Sequence, residues 1–370
     1  MKILLLGEYS NVHWTLAEGL RSLGHTVTVA SNGDFWKGYK NDIALVRKST
    51  GLFDTLQYSF LVKKHFKTFK DYDIVQIINP MFLEFKAERI LPYYKRLRKQ
   101  NKKVFMAAYG MDHYYVKACM QGNIFTYSEL MVNGNFRAVK DNIDAVKDWT
   151  YSPKAQLNQY IAEDCNGIIA GLWEYHMSYK DEFPTKSCLI PFPVNSAVPA
   201  ERFLQKNDGV TRFFIGIQKS RSEFKGTNIL LDILLSIEKE LPDLCQVTKV
   251  ENVPFETYRK LMRESDILID QLYSPTPNMN SLLAMSQGLV VAGGGEEEPY
   301  LAIGEKSLRP IINLPCDRNE IYKTLKDIVL DNSRLQELKR QSIEYVEKHH
   351  TPIKGHSRLL RQLWLKIHSD

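Results

Sequence analysis

Lys219, Arg221 and Lys225 stand close together in the stretch IGIQKSRSEFKG, with Gly226 at its end. An apolar run precedes them and a helical pattern follows. Cations there sit near a helix N-terminus, a setting that favours anions. The plain alternative is a loop of solvated surface charge. Other polar stretches share this setting. GEYSNVH (7–13) offers Gly7, Asn11 and His13. Its glycines lack dinucleotide-loop spacing, Ser10 or Asn11 can cap the helix behind it, and His13 is either a chemical group or a plain helix-start histidine. In AAYGMDH (107–113), Gly110 permits a tight turn and Asp112 either orients a ligand's hydroxyls or closes an Asx turn. KVENVP (249–254) sets Glu251 and Asn252 at the end of a strand. SPTPNMNS (274–281) leads through Asn278, Asn280 and Ser281 into a short helix. GGGEEE (293–298) joins three glycines, which let backbone approach a ligand closely, to acids that read as a helix-start charge run. No Asp-x-Asp pair has a plausible shell of metal ligands around it.

Such loops need a frame that delivers them to a common edge. Apolar runs at 2–6, 26–30, 73–78, 104–108 and 167–170 alternate with helical patterns at 14–23, 84–100 and 173–180. That alternation predicts an α/β doubly wound sheet. Residues 187–194 are extended, and 195–209 read as a polar linker or surface loop. The pattern restarts at 213–217. Helix 227–241, strand 246–250, helix 255–263, strand 266–270, helix 281–287 and strand 289–291 follow, with Gly288 ending the last helix. Short apolar runs such as Ile267-Leu268-Ile269 suit strands covered on both faces. A helix at 332–348 and a last helix at 356–367 complete the chain.

At 370 residues the chain suits two domains of ordinary size. It is 44% hydrophobic and 25% charged, as a soluble globular protein would be. The apolar start, 3–6, meets Glu8 at once and reads as a first strand rather than a leader. Five scattered cysteines argue against a disulfide framework and for a cytoplasmic setting. The net charge is +6. Residues 61–103 carry twelve Lys and Arg against four Asp and Glu. Two clusters hold most of it: Lys63, Lys64, Lys67 and Lys70, then Lys95, Arg96, Arg98, Lys99, Lys102 and Lys103. They are either solvated helix faces or contacts for anionic lipid head groups at the inner face of a membrane. No nucleic-acid motif accompanies them.

The run Leu283-Ala284-Met285-Ser286-Gln287-Gly288 resembles the A-M-x-x-G helix in the donor segment of GT-B glycosyltransferases, especially family 4. Tyr109-Gly110-Met111-Asp112 resembles that family's H-G-x-D turn, with Tyr109 in the His place, and Lys225-Gly226 matches its K-G. The resemblance covers nearly the whole chain by element order. It implies two Rossmann-like doubly wound domains facing each other across a cleft: 1–186 for the acceptor, 187–350 for the donor. A C-terminal helix in 351–370 would cross back to the first domain. It implies transfer of a sugar from a nucleotide-diphosphate-sugar donor to a glycan or lipid-linked acceptor, with retention of configuration and with no metal or cofactor. Lys225 and Gly226, with Lys219 or Arg221, would hold the departing diphosphate. Glu251 and Asn252 lie where the base is held, and Asn278, Asn280 and Ser281 lie near the donor sugar. Asp112 and His13 would be catalytic, positioning acceptor or sugar, and Gly7, Asn11 and Gly110 would face acceptor and phosphates. One departure matters. The family's two glutamates, eight positions apart, fall on Pro275 and Leu283, whose side chains form no hydrogen bonds. That leaves two other readings open: a nucleotide-sugar 2-epimerase on the same fold, or a degenerate, non-catalytic partner protein.

Overall fold

The computed structural model describes residues 1–195 and 208–353. The chain forms two compact units. Unit 1 takes Met1–Ala118, Ala145–Pro193 and the chain from Pro352; unit 2 takes Cys119–Asp144 and Val194–Thr351. Residues 119–144, which the sequence groups with the first domain, therefore fold with the second.

Unit 1 begins with β1 (Lys2–Leu6), α1 (Val12–Ser22), β2 (Thr26–Ser31), β3 (Ile43–Ala44), α2 (Leu52–Phe66), β4 (Ile74–Ile77), α3 (Ala87–Gln100), β5 (Lys103–Ala108) and α4 (His113–Gln121). The chain then makes a hairpin, β6 (Met131–Val132) and β7 (Asn135–Phe136), in its excursion into unit 2. It continues with α5 (Lys140–Thr150), α6 (Pro153–Asp164), β8 (Gly167–Ala170), α7 (Trp173–Lys180) and β9 (Ser187–Leu189). Seven strands form one parallel sheet in the order β3-β2-β1-β4-β5-β8-β9. The order reverses between β1 and β4, where α/β sheets open a crevice at the strands' carboxyl ends. The sequence pattern leaves β3, α2, α4, the β6–β7 hairpin, α5 and α6 unassigned. It also starts α3 three residues early, because Glu84 is held outside the helix by its backbone N–H bond to the Tyr58 hydroxyl, 3.0 Å.

Unit 2 contains β10 (Thr211–Gly216), α8 (Ser222–Lys225), α9 (Thr227–Glu240), β11 (Cys245–Val250), α10 (Phe255–Arg263), β12 (Ile267–Ile269), α11 (Met279–Ser286), β13 (Val290–Gly293), α12 (Glu297–Ala302), β14 (Ile311–Asn313), α13 (Arg318–Leu330) and α14 (Leu335–His349). Its sheet is parallel, in the order β11-β10-β12-β13-β14, and reverses between β10 and β12. Phe213, Ile215, Leu230, Leu234, Ile267 and Leu325 belong to one buried core, and Val132 of the hairpin packs against it. At the end of α14, Val194 donates its N–H to the His350 carbonyl, 2.7 Å. The chain then rejoins unit 1. Pro352 lies so close to α1 that a Cβ on Gly19 would stand 2.5 Å from its Cβ. The chain passes from unit 2 back to unit 1 between Thr351 and Pro352. The helix expected over 356–367, and most of the linker expected over 195–209, lie outside the described residues.

One ion pair ties α14 to the sheet. Lys339 Nζ meets Asp266 Oδ1 at 2.6 Å, with both side chains under a tenth exposed. The other Asp266 oxygen accepts the Arg212 N–H at 2.9 Å. Removing one member of a buried pair strands the other's charge. Lys339→Met should cost about 3–5 kcal/mol in urea unfolding.

Candidate functional site

In unit 2 the polar loops emerge at the carboxyl ends of β10, β11 and β12, beside the reversal. A 3₁₀ turn over Lys219–Arg221 leads into α8 and then α9. Gly226 forms the joint with φ +71°. A Cβ there would stand 2.7 Å from the Tyr273 ring and 2.8 Å from Leu272 Cβ, so the glycine serves both conformation and space. The N-terminus of α9 has no side-chain cap at Gly226, so its first N–H groups are not met by a capping side chain there. Lys219 pairs with Glu251 at 3.2 Å, which brings the cationic loop against the end of β11. Lys249 and Lys219 hold the Glu251 carboxyl below the usual range. Asn252 is exposed with φ +50°. Arg221 turns the other way, to Asp141 at 3.5 Å and over the Phe224 ring. The two candidate partners for Lys225 thus diverge.

Residues 119–144 brace this loop. Arg137 donates to the carbonyls of Glu223 (2.6 Å) and Phe224 (3.1 Å), and its guanidinium lies 3.3 Å from the centroid of the Tyr273 ring. Burial lowers its pKa, opposed by the Tyr273 contact. Nothing in the sequence marks Arg137, because its partners lie about 87 residues away.

The loop between β12 and α11 is built around Asp270, 7% exposed. Ser281 Oγ donates to one carboxylate oxygen, and Asn278 Nδ2 to the other at 3.0 Å. Burial raises the Asp270 pKa. The Ser281 hydroxyl, the Gln271 N–H and the Lys225 charge oppose that rise. Asn278 also caps α11 through the Asn280 N–H. Asn280 accepts from the Tyr258 hydroxyl at 3.1 Å. Pro275 is buried and Leu283 half-buried. Two of the three polar replacements for the missing glutamates are therefore turned onto Asp270. The glycine run has a different use from the one expected. A Cβ on Gly294 would fall 1.8 Å from the Ser274 carbonyl oxygen, so the glycine admits the chain's own backbone. Glu296 accepts from Asn313, and Glu297 pairs with Arg309.

In unit 1 the loops after β1, β4 and β5 converge. Gly7 has φ +90°, and a Cβ there would stand 2.2 Å from Ile78 Cγ2. His13 is fully buried. Its Nδ1 donates to the Gly7 carbonyl at 2.7 Å, and Gln76 donates to its Nε2 at 3.1 Å. Burial lowers its pKa to about 4, so at neutral pH the ring is uncharged with both nitrogens engaged. Gln76 also bonds the Tyr109 hydroxyl, and the Tyr109 and His13 rings meet edge-on at 6.4 Å. The first two loop motifs are thus joined by Gln76, a buried polar residue in the apolar strand β4.

Helix α1 is capped by neither Ser10 nor Asn11. Both lie in the left-handed region, and Asn11 makes no side-chain cap. Glu8 takes that role instead, accepting the N–H groups of His13 (3.2 Å) and Trp14 (2.9 Å). Asp112 is fully buried. Its oxygens accept the Tyr115 N–H at 2.9 Å and the Tyr179 hydroxyl at 2.7 Å. That is the geometry of a cap for α4, and burial raises its pKa to about 6. Gly110 has φ +116°, and a Cβ there would meet nothing within 4 Å, so its need is conformational. A cavity of about 70 Å³ lies at the ends of β1, β2 and β4, lined among others by Glu8, Tyr9, Asn32, Tyr58, Phe82 and Glu84. Asn32 donates to Glu84 at 2.8 Å, and burial raises the Glu84 pKa. Acids and aromatic rings together suit hydroxyl groups better than phosphate.

No protein-family model matches the chain, and no curated protein matches it by sequence. Solved structures do match in fold. Sucrose-phosphate synthase from Thermosynechococcus elongatus superposes with a TM-score of 0.61 at 15% identity, covering 99% of this chain and 100% of that one. Anabaena HepE, solved with UDP and glucose, gives 0.58 at 12%, covering 98% and 99%. WaaG, a glycosyltransferase involved in lipopolysaccharide biosynthesis, gives 0.55 at 13%, covering 96% and 98%. The two Rossmann-like parallel-sheet units therefore have the GT-B fold.

Two outcomes follow. Gly226→Ala should destabilise unit 2 by roughly 2–4 kcal/mol in chemical unfolding, through strain and contact together. Burial raises the Glu8 pKa to about 8, so its stabilising contribution is full below the unfolded value near 4.5 and is lost as pH rises through 8. His13 acts oppositely, and only below its unfolded value of 6.5. Between pH 6.5 and 8, Glu8→Gln should flatten the fall in unfolding free energy by up to about 2 kcal/mol.

Proposed function

We propose that the protein is a glycosyltransferase that moves a sugar from a nucleotide-diphosphate donor to a glycan or lipid-linked acceptor. The observation that carries this reading is the cationic loop of unit 2. Lys219, Arg221 and Lys225 stand at the carboxyl end of β10, beside the sheet's reversal and the uncapped N-terminus of α9. Lys219 and Arg221 are held in half-exposed ion pairs worth little in water. A diphosphate can replace those carboxylates at small cost and gain helix N–H donors as well. Cations so placed stabilise the charge that builds on the leaving diphosphate. The end of β11, with Glu251 and Asn252, would receive the base. HepE, with UDP and glucose bound, has the same fold.

Unit 1 would hold the acceptor in the cavity beside Glu8 and Glu84. Asp112, His13, Gly7, Asn11 and Gly110 would act by fixing the loops around it. Reaction with retention and without a metal is part of this reading. So is work at the inner face of a membrane, where the cations at 63–70 and 95–103 would be drawn. The inward turn of Asn278 and Ser281 favours a second reading, a member of this fold that binds nucleotide weakly and transfers nothing.

Thermal-shift titration with UDP, GDP, ADP and CMP, then the matching sugars, separates them. The transferase reading expects a rise of a few degrees with one diphosphate, lost in Lys225→Ala. No rise with any nucleotide selects the non-catalytic reading. Conversion of the donor sugar with no acceptor present selects an epimerase.

A further inference from the structure

Helix α2 has two apolar faces. The inner one is buried: Tyr58, Val62 and Phe66 are each at most 2% exposed, with Tyr58 against Phe85 and Phe66 against Phe69 and Tyr93. The outer one is open to solvent. Leu52 is 85% exposed, Phe53 71%, Leu56 67% and Phe60 73%. At 3.6 residues per turn, these four share an arc of roughly 120° with Lys63, Lys64 and Lys67, and Asp54 falls roughly 80° outside it. No ordinary surface helix leaves two leucines and two phenylalanines stacked on one open face.

The charge around this face shows what would cover it. Lys63, Lys64, Lys67 and Lys70 are exposed, and their side-chain amines form no ion pair or hydrogen bond among the described residues. The other basic cluster is largely satisfied within unit 1. Arg98 pairs with Asp164, Lys102 with Asp73, Arg96 bonds Gln100, and Lys95 lies over the Tyr160 ring. An anionic bilayer meets both demands: acyl chains for the leucine and phenylalanine side chains, head groups for the lysines.

We propose that α2 is a membrane-docking helix, lying in the plane of an anionic bilayer with Leu52, Phe53, Leu56 and Phe60 sunk below the head groups. Its inner face carries Tyr58, which lines the cavity beside Glu8 and Glu84. Docking therefore sets that cavity one helix diameter from the lipid surface, where a lipid-linked hydroxyl compound would be presented. The docking itself does not depend on the transferase reading, and its test needs neither donor nor acceptor.

The test is co-sedimentation with phosphatidylcholine vesicles, with and without about 30% phosphatidylglycerol. The wild-type chain should bind the anionic vesicles at least roughly tenfold more tightly. Lys63→Glu/Lys64→Glu should lose that preference. Phe53→Ser/Phe60→Ser should lose binding at every salt concentration, while keeping the wild-type melting temperature because both side chains are exposed. Equal binding to neutral and anionic vesicles, or variants that sediment like the wild type, overturns the proposal. So does a phenylalanine variant that changes oligomeric state in light scattering but not vesicle binding, since that marks a face for protein.

Discussion

A parallel sheet has two unlike edges, and everything else in this protein follows from that. Each strand must be re-entered from the same end, so each connection crosses over a face and every loop after a strand emerges along one border. Both large sheets here are wholly parallel. In unit 1 the border collects residues 7–13, Gln76 and 109–112; in unit 2 it collects 217–226, 251–254 and 270–281. Crowding at those borders explains the glycines. Gly7, Gly226 and Gly294 each stand where a methyl group would strike a neighbouring loop.

Crowding also explains why so many candidate side chains look inward. Asp112, His13, Asn278 and Ser281 satisfy their polar atoms within their own units. Buried polar groups must do so, since an unmet donor or acceptor there is costly. Groups of this kind fix loop shape and act on a ligand through that shape. Lys219 and Arg221 differ: their partners are half-exposed carboxylates, which exchange readily.

The alternation of apolar runs and helices made both sheets legible, because buried parallel strands must be short, apolar and regularly spaced. The cationic loop was legible too, since cations after a strand are visible as residue types. Four things were not. Glu8 as the cap of α1 was hidden because Asn11, a residue suited to capping, adopts a left-handed conformation instead. Arg137 was hidden because its partners are remote in the chain. Gln76 was written openly as a polar residue inside IVQI, yet only the packed sheet shows that it joins His13 to Tyr109. The outer face of α2 was hidden by its sequence. Its apolar residues surround the helix, and burial alone separates the inner set from the outer.

The path of the chain through the two units has a consequence for its synthesis. Unit 1 is assembled from three separate lengths of chain, and unit 2 from two. A ribosome would have released all of 1–193 while Gly19 on α1 still lacked Pro352, which comes only after the whole of unit 2. In the same interval, residues 119–144 would hang as an unpaired excursion, because the carbonyls that hold Arg137 belong to residues 223 and 224. Each unit thus draws on chain made on both sides of a stretch that belongs to the other. The last contact of unit 1 therefore waits on chain that is made only after the whole of unit 2.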